Sequence, residues 1–280
     1  ERAQEEVREE SRAVARREAG ARRALLEIRR LLSRGVGQGL AMRTRKLESE
    51  ATLRDERLAK LRDLLSIGND AFLLLRREGA PTVSEEDLPP SQESPFVAAL
   101  AVSGDLRTGC IASAHARALA PKLAGCRGVV DLGCGTGELL EELARIGVPA
   151  FGIDLDADAV EACRRRGLDA RVGELLGALA QEALPGFDGA VLSHVIEHVP
   201  PVEALRLLLR VGRRLPEGGL LLVVTPNPES LFTHLVHFWR DPTHVRPYPV
   251  ELLRRLAQAT GFSVVEAGEV PETSETAWAL

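Results

Sequence analysis

The chain has 280 residues, of which 45% are hydrophobic and 4% aromatic, so it can bury one sizeable core built from aliphatic side chains. Its formal net charge of −5 is uneven, because residues 1–66 hold 17 Lys or Arg and 12 Asp or Glu, whereas the remainder holds 19 and 29. The acidic remainder argues against a polyanion as main ligand, and no apolar run reaches the roughly 18 residues of a membrane span.

Residues 1–78 are predicted to form a helical segment. Within residues 1–34, apolar side chains recur every seven positions, at Val7, Val14, Ala21 and Ile28. Three glycines in residues 35–39 interrupt the helix, and a second helix follows at about 40–66. A thin apolar seam cannot bury itself, so the helices either form an antiparallel hairpin or pair between chains as a coiled coil. We favour the coiled coil, which predicts a homo-oligomer.

Residues 79–95 are predicted to be a linker, and residues 96–280 a catalytic domain. The linker contains four prolines among polar residues, which is incompatible with a helix. The four cysteines of the chain show no CxxC spacing, and no signal-peptide pattern is present, so we expect reduced thiols and a cytoplasmic location. Because the chain begins with Glu1, we expect it to be a piece of a longer protein.

From residue 128 onward the pattern alternates between strand and helix, which predicts an α/β fold with a doubly wound sheet. The predicted strands are Val129–Leu132, Ala150–Leu155, Ala170–Val172, Gly189–Ser193, Leu220–Thr225 and Phe262–Ala267. The predicted helices are Glu138–Ile146, Ala157–Arg166, Leu175–Glu182, Val202–Leu215 and Val250–Thr260.

A glycine-rich turn follows the first of these strands, with three glycines at alternate positions, Gly133, Gly135 and Gly137. Glycines let the backbone approach a ligand closely, and the N-terminus of the following helix faces the same place. The spacing differs from the dinucleotide pattern G-x-G-x-x-G, and no P-loop Gly-Lys-Ser/Thr is present.

The run from Asp131 to Gly137 resembles the first motif of class I S-adenosylmethionine-dependent methyltransferases, and the resemblance extends to about Val265. It implies a Rossmann-like sheet that binds S-adenosylmethionine, releases S-adenosylhomocysteine, and carries a last antiparallel strand. Residues 276–280 are the only segment left for that strand, unless it lies beyond Leu280.

The resemblance also assigns cofactor-binding roles. Asp154 ends the second strand and would hold the ribose, whereas the nearby Asp156 is expected to cap the next helix. Asp131 would lie near the positively charged methionine end, and Glu174 would contact the adenine amino group. The complete predicted set is Asp131, Gly133, Cys134, Gly135, Gly137, Asp154, Leu155, Glu174, Leu175 and Ser193.

The fourth strand leads into a run with two histidines and a glutamate, which are candidate catalytic residues. His194 and His198 are four positions apart and would share one face of a helical turn, beside Glu197. Histidine titrates near neutrality and could take the proton of an alcohol. His198, His194 or His244 is therefore the expected base of an O-methyltransferase.

A loop of about twenty residues after the fifth strand is expected to be functional because it is unusually long. Its run Asp241-Pro-Thr-His244, followed by Arg246-Pro, resembles bacterial methyltransferases of cell-surface polysaccharide synthesis. The resemblance favours a saccharide hydroxyl on a glycan or a glycosylated metabolite as acceptor, and a glycosyltransferase as a candidate partner. The predicted acceptor-binding residues are Asp241, Trp239, Arg246 and Tyr248.

Two alternatives remain. RNA 3′-terminal 2′-O-methyltransferases bind a divalent ion through Glu-x-x-Glu-His and a later His, and here Glu197, His198 and His244 match part of that set. Because His194 replaces the first Glu, no metal is assigned, although three His and one Glu could hold an ion that prefers nitrogen. The other alternative is a coiled-coil scaffold whose methyltransferase fold is inactive.

Overall fold

A computed structural model describes residues 49, 50, 52–54, 56, 57, 69–90, 109–181, 183–231, 233, 234 and 238–270. The chain divides into two compact units, residues 1–63 and 64–280. The described residues of the first unit are helical and exposed. The heptad seam and its proposed self-association lie outside the described residues, as do residues 276–280. Among the helices that the structure describes, none is long and apolar enough to cross a membrane.

The second unit is built on a seven-stranded mixed sheet. In chain order the strands are Asp70–Arg77 (β1), Val129–Leu132 (β2), Ala150–Asp154 (β3), Ala170–Val172 (β4), Gly189–Ser193 (β5), Leu220–Pro226 (β6) and Phe262–Glu269 (β7). Within the sheet they lie in the order β4-β3-β2-β5-β6-β1-β7. The strands β2 to β6 are parallel, whereas β1 lies antiparallel between β6 and β7.

Helices cover both faces of the sheet. They are Gly109–Leu119 (α1), Glu138–Arg145 (α2), Ala157–Arg165 (α3), Leu175–Ala180 (α4), Pro201–Arg214 (α5) and Val250–Ala259 (α6). Because side chains alternate along a strand, Leu73 and Val130 pack with α4, α5 and α6, whereas Phe72 and Val129 pack with α1 and α2 on the other face. Strands buried on both faces explain the nearly continuous apolar runs in the sequence.

The six strands and five helices predicted from residue 128 onward are confirmed, with small differences at their ends. For example, β3 ends at Asp154 rather than Leu155, and α5 begins at Pro201 rather than Val202. Gly and Asp residues mark the ends of these segments, which is why the sequence pattern delimits them well.

The predicted helical segment 1–78 is wrong at its C-terminal end, because residues 70–77 form strand β1 of the sheet. This strand is the antiparallel one that the resemblance led us to expect at the C-terminus. Its five apolar residues, Ala71 to Leu75, are all buried. A short apolar run does not show by periodicity whether it is helix or strand, and here it follows a charged helical pattern.

The first part of the predicted linker is attached to the sheet domain. Residues 79–90 include the 3₁₀ turn Glu85–Asp87, and Glu85 forms ion pairs with Arg206, Arg210 and Arg213 of α5. The backbone N–H of Thr82 also donates to the carbonyl of Ala259. Glu85 therefore binds charged side chains and Thr82 a backbone carbonyl of this domain, which composition alone did not indicate. Residues 91–95 lie outside the described part of the chain.

Candidate active site

The glycine turn adopts a backbone that only glycine tolerates easily. Gly133 and Gly137 have φ of 86° and 87°, and Gly135 has φ of 52°. A Cβ at Gly133 would lie 2.5 Å from Cγ2 of Val195, and one at Gly137 would lie 2.8 Å from Sγ of Cys163. The side chains of Val195 and Cys163 therefore pack directly against the turn and leave no room for a Cβ. Helix α2 begins directly at the end of the turn.

Asp131, the last polar residue before this turn, is a buried carboxylate that is only partly satisfied. Its side chain is 3% exposed, and Oδ1 has no hydrogen-bond partner among the described residues. Burial raises the pKa of Asp131 to about 7, with further contributions from the charges of Asp154 and Glu138. A buried acceptor of this kind is suited to a cationic or hydrogen-bond-donating ligand group.

Asp154 lies across the turn from Asp131, at the carboxyl end of β3. Its Oδ2 accepts from the N–H of Gly135 at 2.7 Å, and Oδ1 accepts from the N–H of Asp156 at 2.9 Å. Asp156 caps α3, as predicted, by accepting from the N–H groups of Asp158 and Ala159. Asp154 thus links the glycine turn to the next strand at the edge where doubly wound sheets bind ligands.

The remaining predicted cofactor residues lie along the same edge. Glu174 caps α4 by accepting from the N–H groups of Leu176 and Gly177, so part of its carboxylate already has partners. Cys134 is buried under the turn. Three half-buried residues stand at strand or helix ends: Leu155, Leu175 and Ser193.

His198 belongs to a buried hydrogen-bonded chain that reaches Asp241. Its Nδ1 lies 2.8 Å from Oγ1 of Thr243, and this hydroxyl donates to Oδ1 of Asp241 at 2.5 Å. Burial raises the pKa of Asp241, but hydrogen bonds from Thr243 outweigh it, so the pKa is lowered and the carboxylate is ionised. Because the one hydroxyl proton of Thr243 is directed to Asp241, its oxygen accepts from Nδ1–H of His198. This tautomer leaves the lone pair of His198 on Nε2.

His198 is neutral in this environment. It is 9% exposed, and burial lowers its pKa. The charge of Glu197 opposes this shift, and His244 adds a smaller lowering, so the effect of burial prevails. His244 packs against it with ring centroids 4.7 Å apart and directs its Nδ1 to the backbone carbonyl of Phe238 at 2.7 Å. Because a carbonyl only accepts, His244 also carries its lone pair on Nε2 when neutral.

Glu197 is fully buried between these elements. Its Oε2 accepts from Oγ1 of Thr225 at 3.1 Å, and its Oε1 lies 3.2 Å from Nδ1 of His194 without the geometry of a hydrogen bond. Burial raises the pKa of Glu197, but the contacts with His194 and the charge of His198 outweigh it, and the pKa is lowered. Ligand atoms of Glu197, His198 and His244 lie within 4.8 Å of one another, so the structure brings together the metal alternative considered from the sequence.

The expected shared face of His194 and His198 is not observed. The turn at Ile196–His198 is a short 3₁₀ helix, and His194 precedes it with φ of 53°, the one positive φ among the non-glycine residues that the structure describes. His194 instead groups with Asp70 and His115, whereas His198 groups with His244. The helical spacing rule fails because the backbone turns away from helical geometry at His194.

The predicted acceptor-binding residues differ in exposure to solvent. Trp239 is 63% exposed and lies edge-on against Phe238. Tyr248 is fully buried, and its hydroxyl donates to the carbonyl of Val199 at 2.7 Å, so an acceptor contact at this residue stays a prediction. Arg246 lies over the Tyr248 ring, with its guanidinium carbon 5.4 Å from the ring centroid.

Several polar residues of this region were missed in the sequence. Thr243 lies inside the Asp-Pro-Thr-His run, so its proximity to Asp241 and His244 could have drawn attention to it. Thr225, Asp70 and His115 come from three other segments, and no spacing rule connects residues that meet only through the topology of the sheet.

A family model described as "Methyltransferase domain" matches residues 106–267, which is more than half of the chain. Curated relatives include ubiquinone biosynthesis O-methyltransferases. The one from Xanthomonas oryzae is 36% identical over 110 residues (38% of this chain and 45% of the relative). The one from Methylococcus capsulatus is 37% identical over 120 residues (41% of this chain and 48% of the relative). The chain thus matches less than half the length of these relatives.

Among solved structures, a SAM dependent methyltransferase from Archaeoglobus fulgidus has 29% sequence identity and a TM-score of 0.51. The match covers 58% of this chain and 72% of that chain. The match supports the sheet architecture described above. These relatives do not support the expected likeness to polysaccharide-synthesis enzymes.

Proposed function

The chain belongs to the family of S-adenosylmethionine-dependent methyltransferase domains, and we propose that it methylates a hydroxyl oxygen of a small molecule. The buried chain Asp241–Thr243–His198 is the observation that carries this proposal. Its hydrogen bonds set the tautomer of a neutral imidazole, whose lone pair is then on Nε2. This imidazole lies at the carboxyl edge of the sheet, where the cofactor of this family binds.

The residues of the glycine turn fit S-adenosylmethionine. The buried Oδ1 of Asp131 has no partner among the described residues and suits the cationic methionine end, and Asp154 presents a second carboxylate on the neighbouring strand. When bound, the cofactor supplies an electrophilic methyl group whose transfer releases a thioether. The chain's own task is then to position the acceptor oxygen in line and to remove its proton.

His198 is the proposed general base. When the acceptor oxygen is methylated, its hydroxyl proton would pass to Nε2 of His198. The resulting imidazolium donates Nδ1–H to Thr243, and the charge of Asp241 stabilises it through the threonine hydroxyl. Other catalytic histidines are likewise oriented by a carboxylate. A positioned general base of this kind contributes about 10²–10⁴-fold to the reaction rate.

The names of the relatives favour a hydroxyl on a quinone precursor as acceptor, since the matched stretch is shared with ubiquinone biosynthesis O-methyltransferases. The saccharide expected from the sequence has less support, because Tyr248 is buried and unable to contact a sugar. Exposed Trp239 could stack on either an aromatic ring or a sugar. A panel with catechol, hydroquinone and simple glycosides as probes separates these acceptor classes.

The two other hypotheses are also open to test. Metal-assisted RNA methylation rests on the grouping of Glu197, His198 and His244, and the acidic charge of residues 67–280 counts against an RNA acceptor. An inactive scaffold would retain S-adenosylmethionine binding yet transfer no methyl group to any acceptor.

The test replaces Thr243 by Val, which removes the hydroxyl but keeps the side-chain size. With acceptor present, we expect kcat to fall at least about tenfold because the tautomer and charge of His198 are no longer held. S-adenosylmethionine affinity, measured by calorimetry, should be unchanged. Thr260→Val is the matched control, since Thr260 is another buried hydroxyl that only donates to backbone carbonyls at the end of α6.

Equal kcat in Thr243→Val and wild type would rule out the proposed relay. Loss of S-adenosylmethionine binding in that variant would instead show that Thr243 acts through the fold of the cofactor site. Binding without transfer to any probe in the wild type would favour the scaffold hypothesis.

A further inference from the structure

A second group of ligating side chains lies beside the proposed catalytic chain and does not belong to it. It consists of Asp70 at the start of β1, His115 on α1 and His194 after β5, and one ligand atom from each lies within 4.8 Å of the others. Because β1 is antiparallel, its first residue stands at the carboxyl edge of the parallel strands, opposite Pro226 at the end of β6.

We propose that Asp70, His115 and His194 form a binding site for a divalent transition metal ion of the Zn²⁺, Co²⁺ or Ni²⁺ type. Two imidazoles and one carboxylate are the ligands that these ions prefer. The site goes beyond the proposed methyl transfer and does not depend on which acceptor is used.

The distances fit an ion of this size. Nε2 of His115 lies 3.5 Å from Oδ2 of Asp70, and Nε2 of His194 lies 3.9 Å from Oδ1 of the same carboxylate. With metal–ligand bonds of about 2.1 Å, neighbouring ligand atoms of a tetrahedral ion are about 3.4 Å apart. Small side-chain adjustments would therefore bring all three into coordination, and three protein ligands leave a position for water or another oxygen.

The surroundings of His194 supply an independent argument. Histidines that bind metals commonly give their other ring N–H to a carboxylate, which orients the ring. Nδ1 of His194 lies 3.2 Å from Oε1 of Glu197, within ion-pair distance, and this oxygen is completely buried and has no hydrogen bond among the described residues. This contact directs Nε2 of His194 toward Asp70.

The backbone and burial of the ligands agree with this assignment. His194 has a positive φ, which strains a residue that carries a Cβ and is commonly found at functional sites. His115 is 7% exposed, and its Nε2 faces the carboxylate of Asp70 inside the protein. The His194 side chain is 38% exposed, which gives an ion access from solvent.

The neighbouring group of Glu197, His198 and His244 is the alternative place for an ion. In that group, Oε1 of Glu197 already faces His194, and Oε2 accepts from Thr225. Nδ1 of His198 is hydrogen-bonded to Thr243. We therefore assign the ion to the first group, where Asp70 faces both imidazoles.

The experiment titrates Co²⁺ into the full chain after chelator treatment and follows its visible absorption, with calorimetry of Zn²⁺ in parallel. We expect one ion per chain. Mutating a residue that only orients a metal ligand typically lowers metal affinity roughly 10–100-fold. Replacing a direct ligand should lower it more, so His115→Ala and Asp70→Asn should weaken metal binding by at least about 100-fold. His234→Ala, which removes an exposed histidine, should bind like wild type.

The variant His244→Ala separates the two groups, because binding should survive in it. Loss of the ion in His244→Ala with retention in His115→Ala and Asp70→Asn would overturn the assignment, and so would the absence of stoichiometric binding in the wild type. Asp70→Asn keeps the side-chain size, and unchanged S-adenosylmethionine affinity in that variant would show that it is folded. The titration needs neither cofactor nor acceptor, so failure of the proposed methyl transfer would leave its outcome intact.

Discussion

Asp131 combines a structural cost with the cofactor-binding role that we propose for it. It lies in β2 between apolar neighbours, and its burial beside Asp154 and Glu138 opposes ionisation. A purely structural carboxylate at this position would be expected to accept hydrogen bonds from the protein, as Oδ1 of Asp156 does from two backbone N–H groups at the start of α3. Because Oδ1 of Asp131 has no hydrogen-bond partner among the described residues, it supports the proposal that a ligand binds at this turn.

We expect the stability difference between wild type and Asp131→Asn to depend on pH. The folded pKa of about 7 is above the unfolded value of about 4, so the protonated form favours folding, and stability declines as the pH rises from about 4 to 7. The full effect is at most about 4 kcal/mol. The asparagine variant does not titrate and should gain stability relative to wild type over this range.

Urea unfolding at pH 5 and pH 8 without cofactor measures this effect, because other titrating groups cancel in the difference between the two proteins. Asp158→Asn, which changes an exposed carboxylate on α3, is the control and should show little pH-dependent difference. A difference between Asp131→Asn and wild type that is the same at both pH values would contradict the raised pKa.

At the scale of elements, the 3₁₀ turn Glu85–Asp87 is held on α5 by charge. Both carboxylate oxygens of Glu85 accept from arginines: Oε1 from Arg210 at 2.7 and 2.8 Å, and Oε2 from Arg213 at 2.7 Å. Burial raises the pKa of Glu85, but these arginines outweigh it and the pKa is lowered. The segment is thereby fixed to α5.

Replacing Glu85 by Gln should destabilise the protein by about 1–3 kcal/mol, since charge-assisted hydrogen bonds are lost and the arginines remain together. Because the folded pKa is lowered, this contribution is present above the unfolded pKa of about 4.3 and is lost as the pH falls through the folded value. Denaturant unfolding at pH 7 checks it. The exposed Glu86→Gln should change stability by less than about 0.5 kcal/mol. Equal effects of the two substitutions would show that the ion pairs contribute nothing.

Sequence reasoning succeeded where local signals and burial agree, and failed where distant segments meet. The turn from Asp131 to Gly137 and the strands after it are marked by glycines, aspartates and apolar runs buried on both faces. The grouping of His194 with Asp70 and His115 depends on the order of strands in the sheet, and the relay through Thr243 depends on the fold of a loop. Neither follows from spacing along the chain.

At the scale of the whole molecule, β1 decides where the catalytic unit begins. It lies between β6 and β7 and pairs with both along nearly its whole length. A Gly68-Asn69-Asp70 turn signal before five apolar residues, with Gly79 after them, could have revealed the strand. The preceding helical pattern concealed it, and the predicted boundary at residue 79 would cut this strand from the sheet.

Two truncated chains test this boundary. Residues 64–280, which form one compact unit, should unfold cooperatively and bind S-adenosylmethionine as the full chain does. Residues 79–280 should not fold, because β6 and β7 lose their shared partner. In addition, four large buried side chains, Phe72 and Leu73 to Leu75, contribute roughly 1.5–3 kcal/mol each. Their sum is comparable to the whole stability of a typical domain, about 5–15 kcal/mol.

Circular dichroism on heating and calorimetric titration of S-adenosylmethionine provide the readouts for both chains. A cooperative transition and normal cofactor affinity in residues 79–280 would show that β1 is dispensable and that the sheet closes without it. Failure of both truncations would show instead that the sheet unit requires residues before 64. Folding of residues 64–280 alone would establish β1 as an integral part of the methyltransferase domain, because it links β7 to the parallel strands and carries Asp70 to the edge of the proposed active site.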